Sequence, residues 1–374
     1  IFMNVCIDVQ PAVSQRAGIG RYTKHLVEHL DARIGSDVLD LVYFDFRGRG
    51  LPIRASQARS RPVRWCPGRV AQKAWATIGW PPYDTFAGRA DVYHFPNFVL
   101  PPLRSGRSVV TVHDMSFLRY PEYADARNQR FLSTRIKDTA ARADVIITDS
   151  RFSAAEIAEF LPIPSDRVAA IYPGIDASFD PPDRAATLDA VRSLGIDRPY
   201  LLSVGTIEPR KNIDFMITVF ERMKQFDGCL VLAGMPGWKV EPIFKRIRSS
   251  ARADDIRFLD YVSDDTLPAL YAGAEIFLIT SHYEGFGFTP LEAMACNTPV
   301  LASTGGSLPE VLGDALNCLD TIDPDPWVEE AHRIMSDSTF RDDRIAKGRR
   351  RVSEFSWADA ADQTWAIYRK LGAA

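Results

Sequence analysis

Short runs of consecutive apolar residues recur along the chain, separated by stretches of helical periodicity. Residues 3–9, 38–44, 92–95, 109–112, 145–148 and 168–171 read as one series of strands. A second series follows at 200–204, 230–233, 256–259, 276–279, 300–302 and 316–319. Unbroken apolar runs mean burial on both faces, as in parallel sheets covered by helices. Strands alternating with helices give the α/β class, with doubly wound sheets. The first series closes near Tyr172-Pro173-Gly174, and Pro181-Pro182 within 179–198 marks the expected linker, because adjacent prolines continue neither helix nor ladder. The predicted organisation is an N-terminal Rossmann-like domain at 1–178, a second at 179–355, and a terminal segment at 356–374 with a helix at 357–371. Ligands of doubly wound sheets bind beyond the carboxyl ends of the strands, so an interdomain cleft is the expected site.

A chain of 374 residues fits this division into two α/β domains of roughly 150–200 residues each. A net charge of −3 gives no overall attraction to nucleic acid. No run of about 18 apolar residues is present, and no charged n-region leads into an apolar h-region, so a cytoplasmic location is expected. The five cysteines are scattered without a C-x-x-C pair, which suits a reducing compartment and disfavours zinc. Asp323-Pro324-Asp325 reads as a turn entering a helix near Trp327, and no metal or cofactor is expected.

Candidate chemistry gathers where strands give way to helices. After the strand at 276–279, the run 281–296 contains Glu284, Gly285, Phe286, Gly287, Phe288, Thr289, Pro290 and Glu292. A glycine-bearing turn feeding a helix start offers backbone N–H groups to an anion. Thr289 is the expected N-cap and Pro290 the expected first helical residue. Glu284 has no structural role that sequence suggests. Glu292 is open, because Thr289-x-x-Glu292 is also a capping box. In the run 203–212, Gly205 precedes Arg210-Lys211 at a strand's carboxyl end, a pairing suited to a diphosphate, and a helix follows at 213–223.

In the first domain, Gly18-Ile19-Gly20 lies between the first strand and a helix at 22–30; Thr23 replaces the third glycine of a dinucleotide fingerprint, which disfavours hydride transfer. His113-Asp114 ends a strand, where His113 reads equally as a sugar ligand or as structural. Ser153-x-x-Glu156 reads as a capping box.

Together these residues resemble the retaining, GT-B-fold glycosyltransferases of family 4 (group 1), most specifically over 276–313, including Gly305-Gly306-Ser307-Leu308-Pro309-Glu310. Glu284 and Glu292 match the family's E-x7-E pair, Arg210-Lys211 its basic pair, and Tyr172-Pro173-Gly174-Ile175-Asp176 the segment closing the first domain. Gly18-Ile19-Gly20 and His113-Asp114 are similar to its first-domain loop and strand-end histidine. The resemblance implies that Glu284 holds donor-sugar hydroxyls, Glu292 the ribose, and Arg210 and Lys211 the diphosphate, helped by the backbone of 286–289. It implies a terminal helix crossing back to the first domain, and front-face displacement by the acceptor. Similarity to bacterial mannosyltransferases of surface-polysaccharide assembly favours GDP-mannose as donor and a glycan or lipid-linked saccharide as acceptor. A UDP-sugar transferase, a nucleotide-sugar epimerase and a non-catalytic sugar-binding subunit are the alternatives.

The segment 47–83 fits that resemblance least well. It carries seven arginines (Arg47, Arg49, Arg54, Arg59, Arg61, Arg64, Arg69) and Lys73 with no acidic residue, interleaved with Trp65, Trp75, Trp80 and Tyr83. Such a mixture suits peripheral contact with an anionic membrane or a polyprenyl-diphosphate acceptor, against the plainer reading of a solvated loop with partly packed tryptophans.

Overall fold

The computed structural model describes residues 2–15 and 18–373. It forms two compact units. The first comprises the chain to Leu118, Arg127–Gly174 and the stretch from Ser356; the second comprises Ile175–Phe355 and Arg119–Ala126.

The first unit is built on a seven-stranded sheet of β1 (Asn4–Asp8), β2 (Val38–Phe44), β3 (Arg59–Val63), β4 (Val92–Phe95), β5 (Arg107–Thr111), β6 (Val145–Thr148) and β7 (Val168–Ala170), in the order β3-β2-β1-β4-β5-β6-β7. The second sheet holds β8 (Tyr200–Val204), β9 (Cys229–Ala233), β10 (Ile256–Leu259), β11 (Ile276–Ile279) and β12 (Val300–Ala302), in the order β10-β9-β8-β11-β12. Every strand pair is parallel. The central strands are buried on both faces, which is why they read as unbroken apolar runs.

Two sequence expectations fail here. Residues 316–319 are not a strand: Leu319 makes only an isolated bridge to Ser303. The segment 47–83 is not a loop, since it contributes β3 and the helix Gly68–Thr77. β3 escaped notice because it is a polar edge strand, tolerating Pro62 and carrying Arg59 and Arg61, both paired with the buried Asp40 of β2. Its aromatics divide. Tyr83 is buried, and Trp75 donates its Nε1–H to the carbonyl of Pro81 at 2.6 Å. Trp65 and Trp80 are exposed, and so are Val70 and Ile78.

The terminal helix Trp357–Gly372 packs on the helix Ile19–Asp31 within the first unit. Trp365 donates to the carbonyl of Leu30 at 3.1 Å, and Gly174 leaves no room for a side chain against Trp357. Tyr368 reaches His94 on β4: the hydroxyl lies 2.6 Å from Nδ1, and Thr111 Oγ1 lies 2.8 Å from Nε2. Burial, aided by the charge of His113, pushes His94 down to about 3.

Tyr368→Phe strands a buried ring nitrogen and is expected to cost about 1–3 kcal/mol in urea unfolding. His94 also sets a pH dependence. Its folded pKa lies below the unfolded value, so its contribution is complete above about 6.5 and is lost as pH falls toward about 3. Chemical denaturation at a series of pH values should show this decline, and His94→Gln should reduce it.

Candidate functional site

In the second sheet the chain leaves β8 for β9 on one side, while β11 lies on the other. The topological switch point, where open α/β sheets bind ligands, therefore falls between the carboxyl ends of β8 and β11. The two runs singled out from sequence are the loops that leave those strands. Cross-loop bonds clip them together: Thr280 Oγ1 donates to the carbonyls of Lys211 and Asn212 at 3.0 Å each, and the His282 N–H donates to Arg210 O at 2.9 Å.

This joins Arg210, Lys211 and Glu284 in one ion network. Glu284 Oε1 accepts from Lys211 Nζ at 2.7 Å and from Ser281 Oγ at 2.5 Å, while Oε2 accepts from Arg210 Nη1 at 2.9 Å. Arg210 Nη1 also donates to the carbonyl of Tyr283, and Nη2 to Glu208 Oε1, each at 2.5 Å. Burial raises the Glu284 pKa, but Arg210 and Lys211 outweigh it and hold the carboxyl at about 2. Two cations face two carboxylates, so the network is neutral before any ligand arrives. Glu208 is 2% exposed, and its Oε2 is buried with no hydrogen-bond partner.

The loop carrying Glu284 rests on a second layer. Gly306 (φ +66°) and Gly305 approach the backbone of Glu284 and Ser281 so closely that a Cβ at either would clash. Ser303 Oγ donates to Ser281 O at 2.6 Å, and Ser307 Oγ to Phe286 O at 3.0 Å. The following helix is Phe288–Ala295, capped by Gly287 at φ +99°. Thr289 and Pro290 therefore lie inside the helix, not at its cap and first position, and Thr289-x-x-Glu292 is not a capping box. The reason is local: only glycine adopts this left-handed turn at low cost, so the helix starts earlier than threonine would begin it. Glu292 is instead buried and accepts from Tyr271 Oη at 2.9 Å. The side chain of Phe286 packs edge-on against Phe288 and Phe355, leaving the backbone around Gly285 and Gly287 as its polar feature. Gly205 (φ +145°) lies beside the Lys211 side chain.

In the first unit Gly18 (φ +56°) caps the helix Ile19–Asp31. Gly20 is already inside that helix, where a Cβ would collide with the Gln15 carbonyl; close packing is its evident requirement. His113 is buried after β5, and Asp114 is occupied by the N–H and hydroxyl of Ser116 at 2.9 and 2.7 Å. The cap of the helix Arg151–Phe160 is Ser150, not Ser153, because Ser150 Oγ accepts the Ser153 N–H at 3.0 Å while Ser153 Oγ turns to the His113 carbonyl.

Sequence reasoning missed Glu208, Ser281, Ser303, Ser307 and Asp149. Glu208 carried a usable signal, since an acid two residues before an arginine at a strand end can clamp it. The serines carried none, because their role is to satisfy carbonyls of a loop whose path the sequence does not state.

Among the described residues no group of three or more His, Cys, Asp or Glu side chains is placed to hold a metal ion. Glu284→Gln removes the charge shared by both cations and is expected to destabilise the second unit by about 3 kcal/mol in urea unfolding. With its folded pKa depressed, the contribution of Glu284 is complete above about 4.5 and is lost as pH falls through about 2. Wild type and variant should therefore converge in stability only in strong acid.

Comparison with known proteins shows the family. Residues 16–179 match the family described as Glycosyltransferase Family 4, and residues 188–351 match Glycosyl transferases group 1. The chain is 33% identical to the O-antigen chain mannosyltransferase B of Escherichia coli, over 99% of this chain and all of that one. It is 32% identical over 68% of its length to the serotype-specific mannosyltransferase WbdA of Escherichia coli, of which it spans about a third (32%). Among solved structures it superposes on sucrose-phosphate synthase from Thermosynechococcus elongatus with a TM-score of 0.77 at 20% identity, covering 99% of both chains. The glycosyltransferase WaaG, involved in lipopolysaccharide biosynthesis, gives 0.72 at 16% identity over 98% of this chain and 99% of that one. The chain belongs to the group 1 glycosyltransferases of family 4 and has the GT-B fold.

Proposed function

We propose that this protein transfers mannose from GDP-mannose, with retention of configuration, to a glycan or lipid-linked saccharide in surface-polysaccharide assembly. The observation that carries the reading is the full-length similarity to an O-antigen mannosyltransferase, joined to a complete Arg210–Lys211–Glu284 network at the β8/β11 switch point.

The neutral network suggests how the donor is held. An incoming diphosphate replaces Glu284 as counter-ion of Arg210 and Lys211, which frees the Glu284 carboxylate to accept from sugar hydroxyls. Glu208 keeps its grip on the far side of the guanidinium, so Arg210 stays aimed at the phosphates. As the C1–O bond to phosphate breaks, the two cations stabilise the charge on the leaving diphosphate. The acceptor oxygen bonds to C1 on the same face, and its proton passes to the departing phosphate oxygen. Glu292 holds the ribose, and the backbone of residues 285–289 at the helix start takes phosphate oxygens.

The segment 47–83 gives the first unit a surface suited to an anionic membrane. Arg59 and Arg61 are committed to Asp40, whereas Arg64, Arg69 and Lys73 have no ion pair among the described residues. Beside them in sequence, Trp65, Val70, Ile78 and Trp80 are 57–69% exposed. Among the described residues no helix is long and apolar enough to cross a membrane. This surface supports attachment at the inner face of the cell membrane, through shallow aromatic insertion and attraction to lipid phosphate.

GDP-mannose at 100 times its Kd should raise stability by about 2.7 kcal/mol in a thermal-shift assay, with a smaller shift for UDP-glucose and ADP-glucose. A larger shift with UDP-sugars would reassign the donor, and conversion of the donor without acceptor would indicate an epimerase. Arg210→Lys loses the planar fork and should weaken donor binding at least tenfold in calorimetry. Replacing Arg64, Arg69 and Lys73 with serine should lower binding to phosphatidylserine vesicles by roughly 100-fold, at about 1 kcal/mol per basic residue. Equal binding by variant and wild type would remove the membrane reading.

A further inference from the structure

Two histidines are buried in the first unit, and their partners differ in kind. His94 lies between the hydroxyls of Tyr368 and Thr111, each able to donate or to accept, so a neutral ring satisfies both contacts. His113 lies between two acceptors. Its Nδ1 is 2.7 Å from Asp149 Oδ2, and its Nε2 is 3.1 Å from the carbonyl of Pro96. A carbonyl only accepts, so Nε2 must carry a proton. The Nδ1–Asp149 contact then needs one more proton, on the ring or on the carboxyl. In water imidazole outcompetes an aspartic carboxyl for a proton by about 2.6 pKa units, which favours the ring.

The surroundings act in the same direction. Asp114 is the adjacent residue, and Asp149 is 3% exposed, with Oδ1 buried and without a hydrogen-bond partner. From the helix Ile19–Asp31, Tyr22 presents its ring edge-on at 4.8 Å; Phe98 packs at 5.6 Å. His94 couples to the charge of His113, and its own pKa of about 3 keeps it neutral. Burial of His113 opposes its charge, yet the Asp149 carboxylate, the Pro96 carbonyl and Asp114 together hold the pKa above the ordinary value.

We propose that Asp149 is a positioning residue that keeps His113 doubly protonated, so that the ring is a fixed hydrogen-bond donor and does not accept a proton during turnover. Of its two bonds, the one to Asp149 is shorter and charge-assisted, whereas the one to Pro96 is longer and has a neutral acceptor. The Nε2–H is therefore the bond that a ligand oxygen would exchange, and Asp149 holds the ring in plane meanwhile. This use of the ring rests on the transferase reading; its protonation state does not.

Nitrogen NMR of the labelled, ligand-free full chain tests the state directly. His113 is assigned by comparison with His113→Gln among the six histidines. At about pH 7.5 both His113 nitrogens should show protonated-type shifts, while His94, an internal control, shows one protonated and one unprotonated nitrogen. An unprotonated-type nitrogen at His113 at that pH would overturn the proposal, whether or not the chain transfers mannose. Asp149→Asn should lower the His113 midpoint by about one unit or more and bring a matching new limb into the kcat–pH profile, with KM for the donor little changed. An unaltered midpoint in a folded variant would also overturn it. If Asp149→Asn does not fold, the wild-type spectrum decides alone.

Discussion

A parallel strand cannot be followed by its neighbour without a crossover, and that constraint organises everything else in this protein. Each strand must hand the chain to a helix at the same edge of the sheet, so all loops leaving strand carboxyl ends gather on one side. Where the strand order reverses, two such loops diverge and leave a crevice between them. The second unit fills this position with Arg210 and Lys211 from one loop and Glu284 from the other. Fixed charges are thereby brought together from residues more than seventy positions apart, Arg210 and Lys211 on a short 3-10 turn (Pro209–Lys211) and Glu284 in the loop after β11.

The charges in this crevice balance. Two cations and two largely buried carboxylates form one network, in which Glu208 Oε2 is buried without a hydrogen-bond partner. A buried ion pair adds little net stability over apolar packing, but removing one partner is costly, so such a network fixes geometry more than it stabilises the fold. The energetic support comes from the layer beneath. Two glycines allow backbone-to-backbone contact, and two serines cap carbonyls that the tight loop leaves unpaired. The site is held in shape by main-chain satisfaction and is tuned by charge.

The first unit uses burial differently. His94 and His113 share the low-dielectric interior, yet hydroxyl partners make one neutral and acceptor partners make the other cationic. The sequence marks His113 by its place at a strand end before Asp114 but does not state the charge of either ring; the difference lies in Tyr368, Thr111, Pro96 and Asp149, which come from separate elements. The same holds for the segment 47–83. Its composition showed basic and aromatic residues together, but only the pairing of β3 with β2 separates the arginines committed to Asp40 from Arg64 and Arg69, which have no ion pair among the described residues.

The sequence by itself determined the α/β class, most strand positions and the identity of the charged trio at the strand ends. Unbroken apolar runs report two-sided burial locally, and glycine-bearing turns after them report where a ligand loop begins. It missed β3 because an edge strand is solvated and carries no apolar period, and it proposed a strand at 316–319 where only Leu316 is buried and Leu319 makes a single bridge. It misplaced the caps at Thr289 and Ser153, since a side chain that suits a cap does not reveal whether a glycine or serine just upstream has already started the helix. Only the tertiary structure decided that Arg210, Lys211, Glu284 and Glu208 neutralise one another, and that Glu292 and His113 are buried with protein partners. Charge state and hydrogen-bond direction depend on which atoms approach from distant parts of the chain, and that information is not carried by residue type.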